Sequence, residues 1–272
     1  MEKMRLLTIA SGSSGNAIYI GNATTHLLID CGISKKRITQ GLDMLDINLS
    51  YLDGVLITHE HSDHIGGLKV LLNACPIPVY ATAKTLEVLR EKGILDSLDS
   101  EYIRPIERDS SFRIGDLKVH ATSVSHDAVD PVAYTVTDPE GIRMGVLTDL
   151  GVYDEKILDS YGNVSALVLE SNHDVKMLEV GPYPYPLKQR ILGPKGHLSN
   201  DTSVELLKKL YHPGMKAVLL GHLSFENNYE DLAYETVRLN LTNTFGGAIF
   251  KEMYLGIAPR SEPGRIIEVS SQ

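Results

Sequence analysis

The most constraining feature of the sequence is a run of metal-ligating side chains that directly follows a short apolar segment. Residues 59–64 have the sequence His-Glu-His-Ser-Asp-His. In an extended segment, side chains two positions apart point the same way, so His59 and His61 can bind one ion. Asp63 and His64 fall beyond the turn and can face a second ion. Nitrogen and oxygen donors at the end of a strand are typical of a site for borderline transition metals. A histidine-rich surface loop is the alternative.

Composition limits the classes of protein to which the chain can belong. With 272 residues, 43% of them apolar, it can bury a large core without staples. Cys31 and Cys75 give no disulfide framework, and we expect buried free thiols in a reducing compartment. We expect a cytoplasmic protein without a membrane span, because no apolar stretch is long enough to cross a bilayer. The apolar run after the first five residues is too short for a signal-peptide core. A net charge of −9 argues against a protein that coats nucleic acid with its whole surface, although bound cations could supply local positive charge.

Apolar patterns predict strands and helices along the whole chain. The predicted strands lie at residues 4–9, 17–20, 26–30, 55–58, 78–81, 112–114, 117–124, 132–137, 143–147, 164–170, 217–220 and 265–269. The predicted helices lie at residues 35–46, 66–73, 85–92, 202–211 and 231–241. Several strands are short continuous apolar runs, which is typical of strands buried on both faces. We therefore predict one α/β domain over residues 1–272, with two sheets packed face to face and helices on the outside.

Three further candidate ligands follow predicted strands, and two ions need more ligands than one loop supplies. They are His126, Asp149 and His222. Each lies at the end of a predicted buried strand, where open sheets place their chemistry. Alone, each of them could be a turn residue or a cap. Together with the run at residues 59–64, they favour a metal centre.

This set of residues resembles the signature of the metallo-β-lactamase superfamily, which is His-x-His-x-Asp-His followed by a His, an Asp and a His at later strand ends. The resemblance implies a four-layer αββα sandwich in which two mixed sheets have helices outside. The implied ligands are His59, His61 and His126 for one divalent ion, Asp63, His64 and His222 for a second, and Asp149 as the bridge between them. It also implies that Asp30 supports the ligands through hydrogen bonds. Zn²⁺, Mn²⁺ and Fe²⁺ are all compatible with such a ligand set. An aspartate instead of a cysteine at position 149 favours the phosphodiesterase and thioesterase branches over the branch that hydrolyses β-lactams.

Longer sequence blocks are similar to the YycJ/WalJ (VicX) family of bacterial metallohydrolases. They are residues 11–16, 170–174, 181–191, 196–200 and 222–228. That family is associated with DNA 5′-exonuclease activity, and its genes lie near a cell-wall two-component system. The resemblance implies a dinuclear phosphodiesterase that hydrolyses DNA through a metal-bridging hydroxide. The alternatives are a hydrolase of a small cyclic phosphodiester or thioester, and a regulatory module of the two-component system. Whether the protein forms a homo-oligomer stays open.

Three residues are candidates for catalytic roles. Asp63 could accept a proton beside its role as a ligand. In related nucleases of this fold, a histidine at the start of a helix before the last ligand protonates the leaving oxygen, so the resemblance makes His197 the candidate acid. Glu170 ends a predicted buried strand and could orient His197. The alternatives are that His197 only packs at the entry to the following helix and that Glu170 is paired elsewhere.

Candidate substrate contacts lie in three segments. Residues 11–16 offer hydroxyls and backbone N–H groups suited to phosphate, and the loop at 172–174 could also contact it. Residues 183–195 interleave tyrosines with basic side chains, as stacking on a frayed DNA end requires. The candidate contacts are Ser13, Asn16, Asn172, His173, Lys188 and Arg190. A simple Gly/Ser turn, and a proline-rich loop that packs its tyrosines onto the core, are the alternatives.

Overall fold

The first of two mixed sheets in the computed structural model, which describes residues 3–271, is built from both ends of the chain. Its strands are β1 (Lys3–Ala10), β2 (Ala17–Gly21), β3 (His26–Ile29), β4 (Gly54–Leu56), β5 (Val79–Thr82), β6 (Ile103–Ile106) and β14 (Ile267–Ser270). They are arranged in the order β14-β1-β2-β3-β4-β5-β6. The pairs from β14 to β3 are antiparallel, and the pairs from β3 to β6 are parallel.

The second sheet follows the chain in simple order. Its strands are β7 (Ser110–Ile114), β8 (Leu117–Ser123), β9 (Val132–Thr137), β10 (Arg143–Leu147), β11 (Ala166–Glu170), β12 (Ala217–Gly221) and β13 (Tyr254–Ile257). They are arranged in the order β13-β12-β11-β10-β9-β8-β7. The pairs from β7 to β10 are antiparallel, and the pairs from β10 to β13 are parallel.

The α-helices are α1 (Lys35–Asp43), α2 (Ser62–Ile65), α3 (Leu68–Ala74), α4 (Ala83–Glu91), α5 (Glu155–Tyr161), α6 (Val175–Val180), α7 (Tyr185–Leu192), α8 (Asn200–Leu210) and α9 (Glu230–Phe245). Of these, α1, α3 and α4 cover the outer face of the first sheet, and α5, α8 and α9 cover that of the second. Short 3₁₀ helices occur at Leu49–Tyr51, Ser100–Tyr102 and Gly247–Lys251. Within residues 3–271, none of the helices has the length and hydropathy needed to cross a bilayer.

Alternating side chains of the strands supply two of the three layers of the core. In β1, Leu6 packs into the layer between the sheets, whereas Leu7 faces the helices outside the first sheet. Because both faces of a strand are covered, its sequence is apolar at successive positions and not only at alternate ones. The third layer joins the second sheet to α5, α8 and α9, with Leu207 and Val237 among its members. Each fully buried leucine contributes about 2 kcal/mol of transfer free energy.

The predicted four-layer αββα class is confirmed by this arrangement. The predicted hairpins are also present, as β7–β8 and β9–β10. The helix predicted at residues 66–73 is present as α3 but begins later, at Leu68, because Gly66 and Gly67 separate it from the short helix α2, which the sequence did not predict. Both cysteines are free, but Cys75 is partly exposed, so the expectation of burial is correct only for Cys31.

The two sheets place the ends of several strands at one edge of the molecule. Strands β4, β10, β11 and β12 end at Leu56, Leu147, Glu170 and Gly221. The residues that follow these ends form the candidate site, as expected for the carboxyl edge of parallel strands.

Candidate metal centre

The run at residues 59–64 is divided by the start of a helix. The chain leaves β4 in an extended conformation and enters α2, for which His61 is the N-cap residue with φ −67° and ψ 149°. His59 Nε2 and His61 Nδ1 are 3.0 Å apart, so the two rings do converge. Asp63 and His64 lie inside α2, where they meet His222, although the His64 ring also lies 4.1 Å from that of His59.

The first cluster consists of His59, His61 and His126. One ring nitrogen from each lies within 4.8 Å of the other two. His126 enters from the loop after β8, and its Nε2 is 3.4 Å from His61 Nδ1. The three ring nitrogens face one another. A proton can join only two of them, whereas one cation can bind all three.

The second cluster consists of Asp63, His64 and His222. The Nε2 atoms of His64 and His222 lie 3.4 Å and 3.5 Å from Asp63 Oδ2. His222 follows the end of β12, so this cluster joins the helix α2 beside the first sheet to the second sheet.

Asp149 lies between the two clusters. Its Oδ1 is 3.4 Å from His222 Nε2 and 3.8 Å from His126 Nε2. Its Oδ2 is 3.3 Å from His64 Nε2. This carboxylate therefore contacts ligands of both clusters, which is the position that a bridging ligand requires.

The polar atoms at this centre fit bound divalent cations. Asp149 Oδ2 and His222 Nε2 are buried and have no hydrogen-bond partner among the residues that the structure describes. Leaving buried polar atoms unpaired is costly, so an ion is the natural partner of such atoms. Mixed imidazole and carboxylate donors suit divalent metals, without specifying one metal among Zn²⁺, Mn²⁺ and Fe²⁺.

A pocket of about 210 Å³ opens onto both clusters. It is lined by Ser13, His61, Asp63, His126, Asp149, Asn172, Tyr183, Leu187, Arg190, Ile191, His197, His222 and Ser224. The predicted acid His197 is thus brought to the metal centre, together with three of the six predicted substrate contacts.

The chain matches known proteins over most of its length. A family model described as the beta-lactamase superfamily domain matches residues 25–222. The chain belongs to the metallo-beta-lactamase superfamily. Two relatives are the exodeoxyribonuclease WalJ of Streptococcus pneumoniae, 38% identical over 84% of this chain and 85% of the relative, and the exodeoxyribonuclease YycJ of Bacillus anthracis, 35% identical over 84% and 86%. These similarities confirm the predicted membership in the YycJ/WalJ family of this superfamily and the prediction of an enzyme.

The fold is also that of solved members of the superfamily. The metallo-beta-lactamase fold protein YhfI from Bacillus subtilis superposes with a TM-score of 0.70, covering 99% of this chain and 100% of that protein. The identity is 16%, so this similarity shows the fold alone.

Backbone strain marks three residues of the centre. Asp30, Asp149 and His222 have φ values of 60°, 60° and 54°. This left-handed conformation is uncommon for residues other than glycine and costs about 1–3 kcal/mol at each position. The His222 N–H donates to Ser11 Oγ at 2.9 Å, which helps to hold that residue in place. The superfamily site is therefore held at strand ends by tertiary contacts that offset local strain.

Asp30 supports the second cluster from behind. Its Oδ2 lies 2.7 Å from His64 Nδ1, and its Oδ1 accepts hydrogen bonds from the N–H and the hydroxyl of Thr58 at 2.9 and 3.0 Å. A carboxylate on the far nitrogen of an imidazole fixes the ring and turns the near nitrogen toward the metal position.

Glu170 supports two histidines of the second sheet. Its Oε1 lies 2.8 Å from His197 Nδ1 and 3.0 Å from His222 Nδ1. Its Oε2 accepts hydrogen bonds from the N–H groups of Leu150 and Leu198. Burial raises the pKa of Glu170, but the charge and hydrogen bond of His197 and the hydrogen bond of His222 outweigh it and lower this pKa to about 2. Glu170 is thus an ionised acceptor for both rings.

Acidic groups dominate the electrostatics of the second cluster. Burial lowers the pKa of His222, but Asp149, Asp63 and Glu170 raise it to about 10. Against the same effect of burial, Asp30 and Asp149 raise the pKa of His64 well above its usual value. The arrangement therefore favours positive charge between these carboxylates, which bound cations would supply.

The remaining predicted substrate contacts lie outside the pocket lining. Asn16 is buried behind α2, with its Nδ2 3.1 Å from His64 Nε2 and its Oδ1 accepting from the Gly12 N–H. His173 is buried with 1% exposure. Lys188 donates to the Glu179 carbonyl, away from the centre. Ser13, Asn172 and Arg190 are thus the predicted contacts that the structure places at the pocket.

The segment at residues 183–195 forms one wall of the pocket and differs from the proline-rich loop considered above. Pro184 is the N-cap residue of α7, and Pro186 lies in its first turn, where proline is well tolerated. Arg190 of α7 forms an ion pair with Asp127 at the rim. Neither this ion pair nor the apolar contacts of Leu187 and Ile191 with the pocket are predicted by the sequence pattern. The two prolines, at positions typical of a helix start, were the sequence signal that could have indicated α7.

Proposed function

We propose that the chain is a dinuclear metal-dependent phosphodiesterase that acts as a 5′-exonuclease on DNA. The observation that carries the proposal is the position of Asp149 between two clusters of ligands at the base of one pocket. Its support from the comparisons is the pair of relatives named exodeoxyribonucleases, which the chain matches over most of their length.

The proposed metal ligands are those of the two clusters and Asp149. His59, His61 and His126 would hold one ion, and Asp63, His64 and His222 the other. When bound, such a pair of ions activates water and neutralises the charge that develops on a phosphodiester during in-line displacement. Zn²⁺, Mn²⁺ and Fe²⁺ all fit the donors.

His197 is proposed to protonate the leaving oxygen. Glu170 holds its Nδ1, which leaves Nε2 as the nitrogen for the substrate. The side chain lines the pocket and is 18% exposed, so a reacting group can reach it. Asp149, Glu170, His197 and His222 also have ligand atoms within 4.8 Å of one another, but Glu170 contacts Nδ1 of His222, whose Nε2 faces Asp63 and Asp149. This favours a positioning role for Glu170 over a ligand role.

Other residues at the pocket are proposed to bind substrate and take up the proton of the attacking water. Asp63 is partly exposed at the pocket and can accept that proton beside its ligand role. Arg190, oriented by Asp127, offers its remaining N–H groups to a phosphate. Ser13 and Asn172 complete the proposed contacts. A cytoplasmic location fits the proposal, because Cys31 and Cys75 are both free thiols.

Degradation of end-labelled DNA tests the proposal. Linear duplex and single-stranded DNA, labelled at either end, are incubated with the Mn²⁺-loaded protein and with Asp63→Ala, and closed circular DNA serves as a substrate without ends. We expect the wild type to release labelled nucleotides first from the 5′ end, to leave the circle intact, and to lose this activity in Asp63→Ala. Equal degradation by both proteins would refute the proposal. Hydrolysis of a small chromogenic phosphodiester without hydrolysis of DNA would favour the small-molecule hydrolase instead.

A further inference from the structure

A second cavity adjoins the metal centre and has no role in the function proposed so far. It has a volume of about 490 Å³, and its lining includes Ser13, Ser14, Phe225, Glu230, Arg260 and Glu262. Ser13 also lines the metal pocket, as does Ser224, the residue before Phe225. The two spaces are therefore neighbours that share a wall. A substrate strand that leaves the metal centre past Ser13 would enter this cavity.

Phe225 is unusually exposed for a large aromatic side chain. Its exposed fraction is 72%, although the four residues directly before it, Gly221 to Ser224, are all buried. The guanidinium carbon of Arg260 lies over one face of the ring, 5.4 Å from its centroid. The ring also lines the cavity. An exposed aromatic ring that a cation supports at one face is suited to stack with a planar group.

Arg260 fixes the backbone that carries Phe225. Its guanidinium donates hydrogen bonds to the carbonyl oxygens of Leu223 and Ser224. Its own carbonyl accepts a hydrogen bond from Arg37 at 3.2 Å. Two of the five N–H groups of Arg260 are engaged with these carbonyls and its face lies on Phe225, so the guanidinium supports the ring from below.

The carboxylates in the cavity lining favour a nucleobase over a phosphate as the ligand. Glu230 and Glu262 add two carboxylates to the lining. Carboxylates repel a phosphodiester but accept hydrogen bonds from the amino groups of a nucleobase. The cavity thus fits a heterocycle, whereas the metal centre fits the phosphate.

We propose that Phe225 stacks with the base of the nucleotide next to the scissile phosphate on the Ser13 side. This inference rests on the proposed function and adds to it a binding site for a single unpaired base. The base must leave its helical stack to reach the ring, so the enzyme acts on a strand that is unpaired at this position.

Substitution of Phe225 combined with abasic substrates tests the proposal. The initial rate of release of the first nucleotides is measured with Phe225→Ala, Phe225→Trp and Phe225→Leu, and with Tyr51→Ala as a control, since Tyr51 is 62% exposed and lies far along the chain in a 3₁₀ helix. We expect Phe225→Ala and Phe225→Leu to raise KM roughly 5- to 100-fold at nearly constant kcat, and Phe225→Trp to restore it. Tyr51→Ala should behave as the wild type.

A series of oligonucleotides, each with one abasic site near the 5′ end, then locates the stacked base. At one position the abasic site should raise KM for the wild type by the same factor and have no further effect on Phe225→Ala, because both changes remove one contact. Additive losses at every position would overturn the proposal, as would wild-type kinetics of Phe225→Ala on intact DNA.

Two controls separate this inference from the proposed function. Phe225→Ala should keep its metal content and hydrolyse bis(4-nitrophenyl) phosphate with the wild-type kcat, since the ring does not contact the reacting atoms. A loss of metal that matches the loss of rate would overturn the stacking role in favour of damage to the His222 loop. Failure of the wild type on every DNA substrate would instead refute the proposed function and the base site with it.

Discussion

The two halves of the metal centre are encoded in different ways. The half beside the first sheet comes from one continuous run, residues 59–64, whose side chains are directed by the local change from extended chain to helix. The half from the second sheet comes from single residues after three strands, namely His126, Asp149 and His222. Strand register and strained backbones position the latter two, with φ values of 60° and 54°. The comparison teaches that one half depends on local geometry and the other on the completed fold.

The largest expected effect is that of removing the residue that joins the halves. Because Asp149 contacts both clusters, Asp149→Ala should lose both ions and reduce DNA hydrolysis by about a thousandfold or more, since the metals supply several kcal/mol of transition-state stabilisation. His61→Ala should lose mainly the ion of the first cluster. Metal analysis and initial rates check this, with exposed Asp231→Ala as the control. Full metal content in Asp149→Ala would show that the halves are independent.

The next effect concerns His197, which belongs to the second half but to neither cluster of three. His197→Ala should retain both ions and lose about 10²- to 10³-fold in rate on DNA, as expected for a general acid. The loss should be much smaller on a substrate with a 4-nitrophenolate leaving group, which needs no proton. An equal loss on both substrates, or loss of metal, would exclude the acid role.

A matched pair of supporting carboxylates compares the halves directly. Asp30→Asn removes the anion behind His64, and Glu170→Gln removes the anion behind His222 and His197. Each should weaken metal affinity or activity by about 10- to 100-fold. Excess Mn²⁺ should restore the activity of Asp30→Asn but only part of that of Glu170→Gln, because Glu170 also positions His197. Equal restoration of both variants would contradict the separate role of Glu170.

The smallest effect comes from a contact between the sheets. Tyr134 of β9 donates a hydrogen bond to the carbonyl of Ile57 at 2.9 Å, just before the histidine run. Tyr134→Phe leaves that buried carbonyl unpaired and should lower the free energy of unfolding by about 1 kcal/mol in urea titrations. Metal content should stay the same. A loss of metal would show that the run depends on the second sheet as well, which breaks the comparison.

Features set by near neighbours in the sequence could be predicted. The run at residues 59–64 is followed by the helix α3, as predicted, and the β9–β10 hairpin connects adjacent segments. The class of fold followed from the apolar strands, and the resemblance supplied the ligand set that spans both sheets. The structure then brought these groups together.

Features set by distant contacts could not be predicted from local pattern. The parallel register that pairs Glu170 with Gly221 places its carboxylate beside His222, and this register is not visible in either strand alone. Strand β6 contains Pro105, which is tolerated because β6 is the edge of its sheet. The prolines in residues 183–195 favour a loop, but prolines are also tolerated in the first turn of a helix, which is where α7 has Pro186. Asn16 seemed suited to phosphate by its loop, but the fold buries it against α2.

Anomalous scattering from crystals of the metal-loaded protein tests the central claim most directly. Two peaks are expected, one among His59, His61 and His126 and the other among Asp63, His64 and His222, roughly 3.5–4 Å apart with Asp149 between them. A single peak, peaks elsewhere in the molecule, or an empty site in protein that was never exposed to chelator would contradict the account.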